Sequence, residues 1–100
     1  MTFANVGMLG TLPGKRDELV EMLTRWSPEL ADAGCLLYEV GINDDFPDTV
    51  FVAELWVSED AHQASLQLDS VRAAIGKAMP LLSGEMDGTR FTVLGSPLRE

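Results

Sequence analysis

The run Thr49-Val50-Phe51-Val52-Ala53-Glu54-Leu55-Trp56 and the Ser58-Glu59-Asp60-Ala61-His62 that follows constrain the fold more than any other part of the chain. β-Branched and aromatic residues in alternation predict a strand. Ser58 is a good helix N-cap, and Glu59 and Asp60 suit a first turn, where the helix dipole favours negative charge. A strand therefore passes directly into a helix, and that helix carries the only histidine, His62.

The flanking segments extend the pattern. Phe3 to Thr11 reads as a strand closed by Pro13-Gly14. Phe3, Asn5, Gly7, Leu9 and Thr11 share one face of it. From Arg16 to Ala33, Leu19, Met22, Leu23, Trp26 and Leu30 recur at helical spacing. Pro28 should kink or restart this helix, with Ser27 as the new cap. Gly34 suits a helix stop, and Cys35 to Ile42 a second strand. Asn43 to Asp48 is dense in turn formers and predicts a hairpin loop before the strand Thr49 to Val57.

The helix after Ser58 should reach about Leu66. Asp69 or Ser70 can cap another, with a stripe of Val71, Ala74, Ile75, Ala78, Met79 and Leu82. Gly84 to Gly88 reads as a loop, and Thr89 to Leu94 as the last strand. The order β-α-β-β-α-β defines an α+β, ferredoxin-like fold, an antiparallel sheet with helices on one face. Large apolar residues also occupy the other face. That face needs a second cover, which another copy of the chain would supply, giving a homodimeric α+β barrel.

One hundred residues suit a single domain spanning 1–100. Hydrophobic residues make up 46% of the chain, so a packed core is expected rather than disorder. The formal net charge of −9 argues against nucleic acid and against an anionic membrane surface as partners. The lone Cys35 cannot form an internal disulfide, and no basic-then-apolar leader opens the sequence. A cytoplasmic protein is the expectation.

Several motifs fail on inspection. Gly14-Lys15 lacks the upstream glycine and the following hydroxyl residue of a phosphate loop. No dinucleotide fingerprint occurs, so no cofactor is expected. The Asn43–Asp48 loop resembles a calcium loop, but Pro47 and Asp48 occupy the wrong positions. One histidine and one cysteine are too few for a zinc site without several carboxylates, so no metal is expected.

Asn5, Tyr38, Glu54, Trp56, His62, Ser65 and Arg72 remain as chemistry-bearing candidates. Trp56 suits a core aromatic. Glu54, between Val52 and Trp56 on one strand face, must be paired, reach solvent or lie in a cavity. A salt bridge to Arg72 or Arg90 is the simplest structural account. Tyr38 can pack with its hydroxyl at a rim. Asn5 is against strand propensity, so it lines a cavity or faces water. His62 is either a solvent-facing helical residue or a proton-transfer group, since imidazole titrates near neutrality.

The chain resembles the antibiotic biosynthesis monooxygenase family of dimeric α/β-barrel proteins. The resemblance rests on Pro13-Gly14, on Gly34-Cys35 through Tyr38-Glu39, and on Glu54-Leu55-Trp56 followed by Ser58-Glu59-Asp60-Ala61. Many members carry a histidine where this chain has Ser65. Anthrone oxygenases place a tyrosine at the position of His62 and an asparagine at that of Val52. The residues of heme-degrading members map to Gly7, Ser65 and Ile75, which disfavours that chemistry.

The resemblance implies a cofactor-free monooxygenase acting with molecular oxygen on a phenolic, quinol or anthrone-like aromatic. His62 would accept the proton and Trp56 would wall the cavity. Asn5 and Tyr38 would hydrogen-bond substrate, with Ser65 and Arg72 as further substrate contacts. The competing reading is a non-catalytic small-molecule binding or accessory protein, favoured by Val52 and Ser65. An isomerase or cyclase of the same superfamily is a third.

Overall fold

The computed structural model describes residues 1–99. Its elements are β1 (Phe3–Thr11), α1 (Arg16–Leu23), α2 (Pro28–Asp32), β2 (Cys35–Gly41), β3 (Thr49–Trp56), α3 (Glu59–Ser65), α4 (Asp69–Ala78), a 3₁₀ turn (Met79–Leu81) and β4 (Leu82–Thr92). The strands form one sheet in the order β2-β3-β1-β4, with every neighbouring pair antiparallel. This is the expected α+β, ferredoxin-like arrangement.

Cross-strand register decides which residues share a face. Phe3 opposes Trp56, Asn5 opposes Glu54, Gly7 opposes Val52 and Leu9 opposes Val50. Val50 and Leu9 belong to the core, which is built on Leu19 of α1, Val50, Ala78 of α4 and Leu81, with Val20, Leu23 and Val40 packed against it. The helices therefore cover the face that also carries Asn5, Glu54 and Trp56. On the opposite face Val6, Leu37 and Phe91 are exposed.

Local signals explain most boundaries. The Ser58 hydroxyl accepts the Ala61 N–H at 3.0 Å and starts α3. Gly34 has φ +103°, and a Cβ there would sit 2.7 Å from Val57 Cγ2. Only glycine therefore lets the chain turn from α2 into β2 at that contact.

Several expectations need correction. The helical run from Arg16 restarts at Pro28 as expected, but its first part already stops at Thr24, whose hydroxyl donates to the Val20 carbonyl at 2.8 Å. Ser27, before Pro28, is held off helical geometry at φ −144°, ψ 79°, and caps nothing with its side chain. Trp26 falls in this break and is 89% exposed instead of joining the core.

Asp69 lies in the first turn of α4 rather than capping it. On that helix Ile75 and Met79 are exposed, and Ala78 is its buried residue. The segment from Gly84 to Gly88 is strand, not loop. Pairing with β1 (Leu9 to Met86, Met8 to Asp87, Gly7 to Gly88) overrides its turn-like composition. The irregular register lies at its start, between the Leu9–Met86 and Thr11–Leu82 pairings, where Gly84 takes φ +97°.

Candidate active site

Glu54 is the centre of a buried polar cluster. Asn5 faces it from β1, and the Asn5 Nδ2 donates to Glu54 Oε2 at 2.8 Å. The Trp56 indole N–H donates to Glu54 Oε1 at 3.1 Å. His62 Nε2 lies 3.9 Å from the same oxygen. The side chain of Glu54 is only 10% exposed. A carboxylate so placed needs these donors to replace water. Among the described residues no arginine pairs with it, so the expected salt bridge to Arg72 or Arg90 is not the explanation.

His62 is not a solvent-facing residue. It is 4% exposed, with its ring between Phe3 and Trp56 at centroid distances of 5.5 and 5.3 Å. Its Nδ1 is buried without a hydrogen-bond partner. Ser58 sets the start of α3 and so aims His62, four residues on, inward over the end of β3. Ser65 is buried too, and its hydroxyl donates to the His62 carbonyl at 2.6 Å. That bond steadies the helix turn bearing His62.

Tyr38 opposes Glu54 from the other side, on β2. It is half-buried, and burial, reinforced by the negative charge of Glu54 and by Cys35, pushes its phenol up to about 12. Tyr38 is thus a neutral hydroxyl beside a carboxylate. Burial also raises the Cys35 thiol, which donates to the Leu37 carbonyl at 3.4 Å.

A cleft of about 450 Å³ adjoins this cluster on the same sheet face. Asn5, Gly7, Leu9 and Val52 form one side of it, and Met86, Gly88 and Arg90 of β4 the other. Asn5 belongs to both the cleft and the buried cluster. Trp56 and His62 do not line the cleft, so neither is the simple cavity wall or exposed base that the sequence suggested. Arg72 is exposed on α4 and joins neither assembly.

Glu54, a sequence candidate without an assigned role, and Arg90, named there only as its ion-pair partner, therefore matter. Glu54 carried a signal in the sequence, a carboxylate alternating with Val52 and Trp56. Arg90 carried no signal for the cleft, because its place opposite Asn5 depends on the β1–β4 register. Among the described residues no group of three or more His, Cys, Asp or Glu side chains could hold a metal ion.

The sequence model for antibiotic biosynthesis monooxygenases matches residues 2–77. The chain belongs to the antibiotic biosynthesis monooxygenase family. A candidate member from Chloroflexus aurantiacus J-10-fl is 33% identical and superposes with a TM-score of 0.80, over 96% of this chain and 97% of that one. Solved structures with little sequence likeness share the fold. One from Nitrosomonas europaea, also a candidate member, has a TM-score of 0.82 at 10% identity, over 93% of this chain and 90% of that one. SnoaB of Streptomyces nogalater, a cofactor-independent oxygenase, has a TM-score of 0.77 at 14% identity, over 96% of both chains. No curated protein matches the chain. Among the described residues no helix is long and apolar enough to cross a membrane. The family match ends before β4, the strand that supplies one wall of the cleft.

Proposed function

We propose that the protein is a cofactor-independent monooxygenase that oxidises a phenolic, quinol or anthrone-like aromatic with molecular oxygen. One observation carries this reading: a buried carboxylate–imidazole pair, Glu54 and His62, is linked through Asn5 to a cleft large enough for an aromatic molecule. A small aromatic lies in the cleft with its acidic hydroxyl beside Asn5. Glu54 takes the proton, and His62 behind it holds or shares that proton. Both oxygens of Glu54 are fixed by donors, so the acceptor is oriented before substrate arrives.

The resulting anion is electron-rich enough to react with oxygen itself. The protein then needs only to bind, deprotonate and shield it from water. Tyr38, kept neutral, lies across from the carboxylate on β2. Ser65 acts through the turn that positions His62, not as a substrate contact. The exposed apolar residues on the other sheet face fit a homodimer as the working unit.

A binding or accessory role on the same fold is the second reading. It is favoured by the absence of Glu54, His62 and Trp56 from the cleft lining, which reaches the cluster only through Asn5. Oxygen consumption separates the two. Purified protein is given a panel of anthrones, naphthols and dihydroquinones, and wild type is compared with Glu54→Gln and His62→Ala. Oxygen uptake that both variants lose, with binding retained, is the expected result. Binding with no uptake by wild type on any member would replace the oxygenase reading with the binding one.

A further inference from the structure

We infer that the cleft selects a planar aromatic carrying a hydroxyl next to an anionic oxygen, and that Arg90 is the residue that holds the anion. This rests on the oxygenase reading only for what happens after binding.

The floor of the cleft is bare main chain. Gly7 and Gly88 oppose each other across β1 and β4. A Cβ on Gly7 would come within 2.5 Å of the Asp87 carbonyl oxygen, and one on Gly88 within 3.0 Å of the Val6 carbonyl oxygen. Neither position accepts a side chain unless the strands move apart. A flat ring can therefore lie against peptide planes where any other residue pair would stand in its way.

The walls differ in polarity. The next pairs along β1 and β4 are Leu9 with Met86 at one end and Asn5 with Arg90 at the other. Val52 lies beside Gly7 on β3. An occupant that satisfies these walls is apolar along most of its length and polar at one end.

The polar end can be read atom by atom. Glu54 is engaged by the Asn5 Nδ2, so the Asn5 amide oxygen is left to accept from a ligand. Arg90 can only donate, and among the described residues it makes no ion pair. Asp87, the carboxylate nearest in sequence and itself part of the cleft lining, is engaged in accepting the Gly88 N–H at 2.8 Å. One acceptor beside one cation matches a hydroxyl beside an anionic oxygen. In a chain with 7 basic and 16 acidic residues, general electrostatics repel anions, so a local cation must account for binding one.

Calorimetric titration with hydroxynaphthoate, naphthalene carboxamide and decalin carboxylate tests this on the intact protein. Hydroxynaphthoate should bind wild type, and Arg90→Gln should weaken it about tenfold, with Arg90→Lys recovering part of the loss. The carboxamide should bind weakly and equally to wild type and Arg90→Gln, and the saturated decalin carboxylate should not bind. Val52→Phe, which narrows the cleft without touching the glycine pair, should abolish hydroxynaphthoate binding. Equal affinity for hydroxynaphthoate in wild type and Arg90→Gln would overturn the inference, as would binding of the saturated acid. Arg90-dependent binding without oxygen uptake would leave this inference standing and end the oxygenase reading. Uptake on neutral phenols that Arg90→Gln does not alter would do the reverse.

Discussion

Asn5 and Glu54 are separated by 49 positions in sequence, yet their side chains meet at 2.8 Å across the two central strands. That contact joins the buried carboxylate to the cleft that Asn5 lines. Removing the carboxylate should therefore show in stability as well as in chemistry. Glu54→Leu strands the donors of Asn5 and Trp56 and should lower the unfolding free energy by about 2–4 kcal/mol. Glu54→Gln keeps an acceptor and should cost about 1 kcal/mol while reducing oxygen uptake about 10²-fold or more. Urea denaturation and an oxygen electrode measure the two effects. A fully active Glu54→Gln protein would remove Glu54 from the chemistry.

His62→Ala should open a void between Phe3 and Trp56. The expected destabilisation is about 2–4 kcal/mol, in the range of large-to-small core changes. Because Trp56 lies against the imidazole, its fluorescence should change on substitution. An unaltered melting midpoint would mean that the His62 side chain is not packed as described.

Tyr38 is the sole tyrosine, so its titration is read directly from tyrosinate absorbance. Its midpoint should fall at about 12. The sign follows from proton linkage. The native state holds its proton more tightly than the unfolded state, so the stabilising contribution is fully present below about pH 10. It is lost as pH rises from there through the native pKa, by up to about 2–3 kcal/mol. Tyr38→Phe should flatten this alkaline limb of the stability profile. A midpoint near the ordinary value for tyrosine would contradict the burial of the phenol beside Glu54.

Ser58→Ala removes the cap of α3 and should cost about 1 kcal/mol, whereas Ser58→Asp should be close to neutral. Because the cap sets the helix that carries His62, the alanine variant should also reduce turnover while leaving hydroxynaphthoate affinity unchanged. Equal loss of binding would point to a wider collapse of the site.

Light scattering coupled to gel filtration should give twice the mass of 10.9 kDa at micromolar concentration. Val6→Asp and Phe91→Asp, on the face away from the helices, should dissociate the pair. A stable interface there buries more than about 1,000 Å². A folded wild-type monomer would mean that the exposed apolar face has another use.

The sequence made the architecture legible because its signals were local. Ser58, Gly34 and the alternation from Thr49 to Trp56 each act within a few residues, and the structure follows them. Segments governed by distant partners were read wrongly. Gly84 to Gly88 looks like a loop until β1 offers it a hydrogen-bonding edge. Trp26 looks like core until Pro28 breaks the helix beneath it. The site divides the same way. Trp56 and His62 were visible from their spacing, and Asn5 from its poor fit to a strand. The pairing of Asn5 with Arg90 is a matter of register between the first strand and the last, which no local pattern encodes.

The sheet order also dictates a timetable. The partners of β1 are β3 and β4, so the first strand made waits longest for its last neighbour. Everything needed to bring Asn5, Glu54 and His62 together has been synthesised once α3 is complete. The glycine floor and the arginine wall do not exist until Thr92 has been added. The residues of the buried cluster are thus made well before those of the cleft's second wall, and the two parts of the site are joined only when β4 pairs with β1.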